Sequence, residues 1–142
     1  MKPYLHKVQY YETDKMGVTH HANYIRWMEE ARVDFMEQMG FPYAVMEEKG
    51  VFSPVTSVSC DYKHPTTFGD AVSIAVTVEA FNGVVMTIGY DMKNQREETV
   101  CAASSQHVFL SREGRFVRLK REMPGFYDAI AALLPQPETG NS

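Results

Sequence analysis

Residues 10–40 read YYETDKMGVTHHANYIRWMEEARVDFMEQMG, and the second half of that stretch decides the fold. Tyr24, Trp27, Met28, Ala31, Phe35 and Met39 recur at the i, i+3, i+4, i+7 spacing of one helix face, while Arg26, Glu29, Glu30, Asp34, Glu37 and Gln38 hold most of the polar positions. Ile25, Val33 and Met36 widen the apolar face, so this helix wants cover on more than one side. Asn23 is the expected N-cap, and Gly40 followed by Pro42 is the stop signal. The first half is a polar loop carrying Asp14, His20 and His21. It delivers them to a helix N-terminus, where unpaired N–H groups and the helix dipole favour negative charge.

Upstream, residues 4–11 read as a short aromatic strand. Downstream, a weaker helical run through Glu47, Glu48 and Lys49 ends at Gly50, and strands take over. From Phe52 to Tyr62, Thr56, Val58, Cys60 and Tyr62 alternate with Val55, Ser57, Ser59 and Asp61. The alternation is clearest over 71–81, where Val72, Ile74, Val76, Val78 and Ala80 oppose Ser73, Thr77 and Glu79. Asn82-Gly83 predicts a two-residue type I′ hairpin into a return strand over 84–93. A long strand over 99–110, rich in Ala and Ser, lets another element approach closely, and the long helix is the candidate. Arg112-Glu113-Gly114 turns the chain into 115–119, a short helix is expected over 126–134, and the tail over 135–142 is expected to be frayed. This order predicts an α+β fold, an antiparallel sheet of five or six strands wrapped around one long central helix, as a single domain over 1–142.

At 142 residues the chain is long enough for one domain with a real core, and its 44% hydrophobic and 12% aromatic content excludes disorder. A formal net charge of −4 argues against a general nucleic-acid surface. Met1 to His6 contains no apolar signal region and no run approaches a membrane span, so a soluble cytoplasmic protein is expected. Cys60 and Cys101 have no partners at ligand spacing and receive no role. His20 and His21, adjacent in a loop, are expected to point in different directions. Neither His6, His64 nor His107 is spaced to complete a ligand set with them, so no metal is expected. His107, on an alternating strand, reads as a structural or surface residue.

Taken together, Tyr10-Tyr11-Glu12-Thr13-Asp14, Gly17-Val18, His21-Ala22-Asn23-Tyr24 and Trp27-Met28-Glu29-Glu30-Ala31-Arg32 form one spaced signature. It resembles hotdog-fold acyl-CoA thioesterases of the 4-hydroxybenzoyl-CoA thioesterase and Tol-Pal-associated type. The likeness continues through Pro54-Val55, Tyr62-Lys63-His64-Pro65, Phe68-Gly69-Asp70 and Arg118 to Arg121, and so covers almost the whole chain. In that family the sheet wraps the helix, which agrees with the element order reached from periodicity.

The resemblance implies a site. Asp14 is its catalytic carboxylate, either a nucleophile or a general base on water. The backbone N–H of His21 polarises the thioester carbonyl, with its side chain placed to orient water or Asp14. Tyr10 holds the carboxylate or the loop. Tyr24 and the Ser53-Pro54-Val55 strand start bind substrate. Alone, Asp14 beside Thr13 reads as an ordinary Asx-turn; the surrounding spacing reverses that. A thioester needs neither metal nor serine triad, so no cofactor is expected beyond the coenzyme A of the substrate. The partners implied are an acyl-CoA or acyl-carrier-protein thioester and further copies of the chain, as a dimer or a dimer of dimers (a homotetramer). Arg112, Arg115, Arg118, Lys120 and Arg121 read equally as edge-strand charges or as a landing site for coenzyme A phosphates. The chain departs from its relatives at Thr19-His20, where an apolar and an aromatic residue are common, which leaves substrate choice open. Glu29, Glu30 and Arg32 read as a solvated or intersubunit face. The alternatives are a non-catalytic acyl-binding protein, a hotdog dehydratase acting on 3-hydroxyacyl thioesters, and a metal hydrolase.

Overall fold

The computed structural model describes residues 1–135; the rest of the tail expected to fray lies outside them. The elements are β1 (Tyr4–Lys7), a 3-10 turn (Tyr10–Glu12), α1 (Ala22–Gln38), α2 (Tyr43–Glu48), β2 (Val55–Tyr62), β3 (Ala71–Phe81), β4 (Val85–Lys93), β5 (Thr99–Val108), α3 (Leu119–Glu122) and α4 (Pro124–Ala132). The five strands form one antiparallel sheet in the order β1-β3-β4-β5-β2. α1 touches β1 and β2, the two edges of that sheet, as well as β3. A single helix reaches both edges only if the sheet curves round it, which is the hotdog arrangement.

The inward alternation explains why. Met86, Ile88, Tyr90 and Met92 of β4, with Val72, Ile74 and Val78 of β3, are buried together with Trp27, Met28, Ala31, Phe35 and Met36 of α1. Trp27 is completely buried, and truncating such a side chain to Ala typically costs about 3–5 kcal/mol. Gly40, at φ +88°, ends α1 in the left-handed region that a β-carbon disfavours. Ile25 and Val33, by contrast, are exposed on α1.

Several expectations are corrected. β1 stops at Lys7, and residues 10–12 turn into a 3-10 helix because the Gln9 N–H finds the Glu12 side chain at 2.8 Å. Asn23 is not the N-cap: α1 starts at Ala22, and the Asn23 amide donates to the carbonyls of Glu12 and His20 at 3.0 and 3.1 Å. The hairpin is not type I′. Only Gly83 has positive φ, at +90°, and the Asn82 Oδ1 accepts from the N–H groups of Val84 and Val85 at 2.9 and 2.7 Å. The Asn side chain thus replaces a backbone acceptor in the turn. Residues 115–119 add no sixth strand, only a bridge between Phe116 and Leu110, and Pro124 opens α4 at its first helical position.

Two β-bulges change which side chains face inward. In β3 the register shifts between Val78 and Ala80, so Ala80 is exposed and Phe81 packs instead against Phe109 and Tyr127. In β2 the shift between Val55 and Ser57 makes Thr56 the extra residue. Val55 then pairs with His107 and shares a face with Val58, Cys60 and Tyr62, which pair with Ser105, Ala103 and Cys101.

Candidate active site

The loop between the 3-10 turn and α1 closes on itself. Thr13 bridges Thr19, the Asp14 N–H donates to the Val18 carbonyl at 2.8 Å, and the His20 N–H donates to the Glu12 carbonyl at 2.8 Å. Gly17, at φ +79°, makes the tip. Asp14 is exposed, and its Oδ1 accepts the Met16 N–H at 2.8 Å. That is an Asx-turn, so the structural role of this residue is real. It uses one carboxylate oxygen, and the other has no hydrogen-bond partner among the described residues. No hydrogen bond joins Asp14 to His21 or to Tyr10. Tyr10 serves the loop rather than the carboxylate: its carbonyl accepts the Thr13 hydroxyl and N–H at 2.7 and 3.1 Å, while its exposed ring meets Phe68 edge-on.

The other shoulder of the loop is the entry to α1. His21 is the N-cap, and the His20 and His21 rings stack at 4.4 Å rather than diverging. The Ala22 N–H donates to the His20 Nδ1 at 3.2 Å, the Asn23 N–H to the His20 carbonyl at 3.0 Å and the Tyr24 N–H to the His21 carbonyl at 3.2 Å. The His21 N–H has no acceptor among the described residues, which leaves a donor at the positive end of the helix.

His21 faces an open cleft of about 410 Å³ lined also by Thr19, Tyr24, Tyr62, Lys63, His64 and Pro65. Thr19, one of the two departures, is buried, and its hydroxyl meets the Thr66 hydroxyl and carbonyl. The Tyr24 hydroxyl reaches the same Thr66 at 3.0 Å, and its burial raises its pKa, keeping it protonated. A separate, narrower cavity of about 190 Å³ lies between α1 and β2, with Ile25 and Met28 on one side and Val55 and Val58 on the other. The structure divides the strand start: Val55 lies on this groove, while Ser53 and Pro54 line a different pocket beside Phe52 and Arg112. Among the described residues no three His, Cys, Asp or Glu side chains converge as metal ligands.

Glu12 was not singled out by the sequence. It is 4% exposed, and its carboxylate receives the Gln9 N–H and the His6 Nε2 at 2.8 Å and the Trp27 indole N–H at 2.7 Å. Burial pushes its pKa up, but the Gln9, His6 and Trp27 donors outweigh that and hold the carboxyl below the ordinary glutamate range. Its carbonyl holds both His20 and Asn23, so one residue fastens the loop to the helix. The available signal was a Glu three places after Gln9, with a Trp fifteen places beyond it.

Arg32 is also corrected. It is buried, not solvated: its guanidinium donates to the Tyr43 hydroxyl and to the Ser53 carbonyl at 3.4 Å and lies 5.0 Å from the Tyr43 ring centre. Glu29 and Glu30 remain on the exposed face. In the basic cluster, Arg112 donates to the Glu47 carbonyl and stacks on Phe52, whereas Arg115, Arg118 and Arg121 are exposed.

A sheet wrapped round one long helix, with a carboxylate loop leading to the N-terminus of that helix, defines a protein of the hotdog class. The chain belongs to the thioesterase-like superfamily, which it matches over residues 8–134. It is 35% identical over 124 residues, 87% of this chain and 90% of the relative, to a Bacillus subtilis (strain 168) protein named "Putative acyl-CoA thioesterase YneP". A 1,4-dihydroxy-2-naphthoyl-CoA hydrolase of Thermosynechococcus vestitus is 24% identical over 111 residues, 78% of this chain and 76% of the relative. Among solved structures, a DHNA-CoA thioesterase from Staphylococcus aureus superposes with a TM-score of 0.88 at 31% identity, covering 92% of this chain and 89% of that one.

Proposed function

We propose that this chain is an acyl-CoA thioesterase, of the 4-hydroxybenzoyl-CoA thioesterase and Tol-Pal-associated type, which converts an acyl-CoA and water into a carboxylate and free coenzyme A. The observation that carries this reading is the pairing, on the two shoulders of one closed loop, of an unengaged carboxylate oxygen on Asp14 and an unengaged N–H on His21. The carboxylate attacks the thioester carbonyl carbon or takes a proton from the water that does. The carbonyl oxygen gains negative charge and is held by the His21 N–H and the helix dipole. The C–S bond then breaks and coenzyme A departs as a thiolate that is protonated in solvent; where Asp14 is the nucleophile, water then hydrolyses the acyl–Asp14 anhydride, releasing the carboxylate and restoring Asp14. The names of the relatives support an acyl-CoA substrate, aromatic acyl groups included; an acyl-carrier-protein thioester is the related option.

Tyr24 and Val55 serve as substrate contacts in this reading, and the exposed Arg115, Arg118 and Arg121 receive coenzyme A phosphates. The assembly is a dimer or a dimer of dimers. Support comes from edge strand β2, where Val55, Val58 and Tyr62 are 45%, 40% and 47% exposed on the face toward α1, a strip that a second copy covers.

The test is thiol release over a panel of acyl-CoAs, short to long and aliphatic to aromatic, with the natural chain, Asp14→Asn and Asp14→Ala. Thiol release that depends on Asp14 supports the reading. Near wild-type turnover in both variants sinks the role of Asp14. Water elimination from 3-hydroxyacyl thioesters without thiol release would make the chain a dehydratase instead, and binding without either reaction an acyl-binding protein.

A further inference from the structure

Three buried hydroxyls meet beside the cleft at His21, and two of them, on Thr19 and Tyr24, line it. The third belongs to Thr66, which is wholly excluded from solvent and lies between Thr19 of the loop and Tyr24 of α1. The Thr66 Oγ1 is 2.5 Å from the Thr19 Oγ1 and 3.0 Å from the Tyr24 hydroxyl. The Thr66 carbonyl accepts the Thr19 N–H at 2.8 Å and the Thr19 hydroxyl at 3.2 Å. The segment that carries Thr66 is itself anchored. The Lys63 N–H donates to the Val100 carbonyl of β5 at 2.9 Å, the Thr67 N–H donates to the Asp70 carboxylate at 2.9 Å, and Thr67 bridges Val18. At the start of the segment the Tyr62 hydroxyl donates to the His21 carbonyl at 3.3 Å. Residues 62–67 thus clasp both the loop and the helix entry from one fixed side of the fold.

Stability alone does not call for hydroxyls here. A hydrogen bond inside a protein adds only about 0.5–1.5 kcal/mol net, and apolar side chains of the same shape can replace both partners of a buried pair at little cost. What a hydroxyl network adds to apolar packing is geometry: hydrophobic contact has no direction, whereas a hydrogen bond fixes a distance and an angle. The place of this network gives that geometry a use. Thr19 stands in the chain between the two groups of the proposed chemistry. It bridges Thr13, the neighbour of Asp14, and the carbonyl of the adjacent Val18 accepts the Asp14 N–H. Two residues further on lies His21, whose N–H has no acceptor among the described residues. A shift of Thr19 against the helix therefore moves the carboxylate relative to the oxyanion donor, and a displacement of about 1 Å in such a pair costs on the order of 10²-fold in turnover. The Thr66 hydroxyl touches both sides of that relationship, the loop at Thr19 and the helix at Tyr24.

We propose that Thr66 is a positioning residue: its hydroxyl, held between those of Thr19 and Tyr24, sets the Asp14 carboxylate against the His21 N–H. The inference rests on the thioesterase reading above. The test compares Thr66→Val, which keeps the shape and removes the hydroxyl, with Thr66→Ser, which keeps the hydroxyl, on the acyl-CoA that the natural chain hydrolyses fastest. In Thr66→Val kcat falls about 10–100-fold while KM stays within about threefold, and Thr66→Ser restores kcat to within about threefold of wild type. Thr19→Val, which removes the other end of the same contact, lowers kcat similarly. The double variant Thr19→Val/Thr66→Val loses less than the product of the two single losses, because both remove one shared bond. Amide hydrogen exchange gives a readout independent of turnover: the Asp14 and His20 N–H groups, bonded inside the loop, exchange at least about tenfold faster in Thr66→Val and not in Thr66→Ser. Thermal melts establish that each variant is folded at the assay temperature, and the two positions guard against the loss of one. Wild-type kcat and loop exchange in the folded Val variants, even with a lowered melting temperature, overturn the inference and leave the thioesterase reading standing. So does a loss of kcat that Thr66→Ser shares. Absence of thiol release from every acyl-CoA by the natural chain overturns both.

Discussion

The indole N–H of Trp27 donates to the carboxylate of Glu12 at 2.7 Å inside the protein. Trp27 lies at the centre of the buried face of α1, and Glu12 lies at the start of the loop that carries Asp14. The bond therefore connects the packing of the helix to the position of the proposed chemistry. His6 adds a second side-chain donor to the same carboxylate, and its ring lies 4.6 Å from that of Trp27.

Replacing Glu12 by Gln leaves three donors facing an amide that cannot accept from all of them. The expected loss is about 2–3 kcal/mol at pH 7. The depressed carboxyl pKa gives this stabilisation a direction. It is fully present above the unfolded value of about 4.3 and is lost as pH falls through the lower folded value. Urea unfolding of both proteins at pH 7 and at pH 3.5 checks it, and the gap is expected to narrow in acid.

Asp14→Asn is expected to lower thiol release by about 10²–10⁴-fold. The residue is exposed and makes only local turn contacts, and an Asn side chain keeps the acceptor for the Met16 N–H. The melting temperature should therefore stay within a few degrees of wild type. Calorimetry alongside the kinetic assay separates lost chemistry from lost structure.

His107 makes the protein sensitive to mild acid. Its pKa is about 3 in the folded chain because burial, and then Arg32, oppose the imidazolium, against about 6.5 when unfolded. The unfolded chain takes up a proton between these values. Stability is therefore full above about pH 6.5 and declines as pH falls toward 3, by on the order of 3–5 kcal/mol in all. In His107→Gln this part of the pH slope should vanish, whatever the variant's stability at neutral pH. Denaturation midpoints at pH 7, 5.5 and 4 decide it.

Light scattering on eluting protein should give a mass two or four times the 16.2 kDa of one chain. Val58→Glu places charge on the exposed inner face of β2 and is expected to shift the population toward single chains. A wild-type protein that elutes as a single chain at micromolar concentration would refute the assembly.

The long helix and the β3–β4 hairpin were legible because their apolar residues keep one period over most of their length, broken in β3 only at the bulge between Val78 and Ala80. Asp14 and His21 were legible as candidates because they share one short spacing. Glu12 was not, since local sequence made it the end of a strand, and only the turn at Gln9 to Glu12 brings its carboxylate beneath Trp27. Arg32 looked solvated because its cover, Tyr43, comes from α2, outside the helix that sets its spacing. Ser105 and His107 were in phase with Cys101 along β5 and so detectable as inward residues. Their mutual bond and their nearness to Tyr90 depend on sheet register.

The extra residue at Thr56 acts as a half-period phase shifter in β2. If Thr56 were instead paired with His107 in strict alternation, Thr56 would face the groove and Val55 would turn away, while residues 57–62 kept their partners on β5. The bulge thus puts an aliphatic side chain on the groove where an unbroken strand would put a hydroxyl.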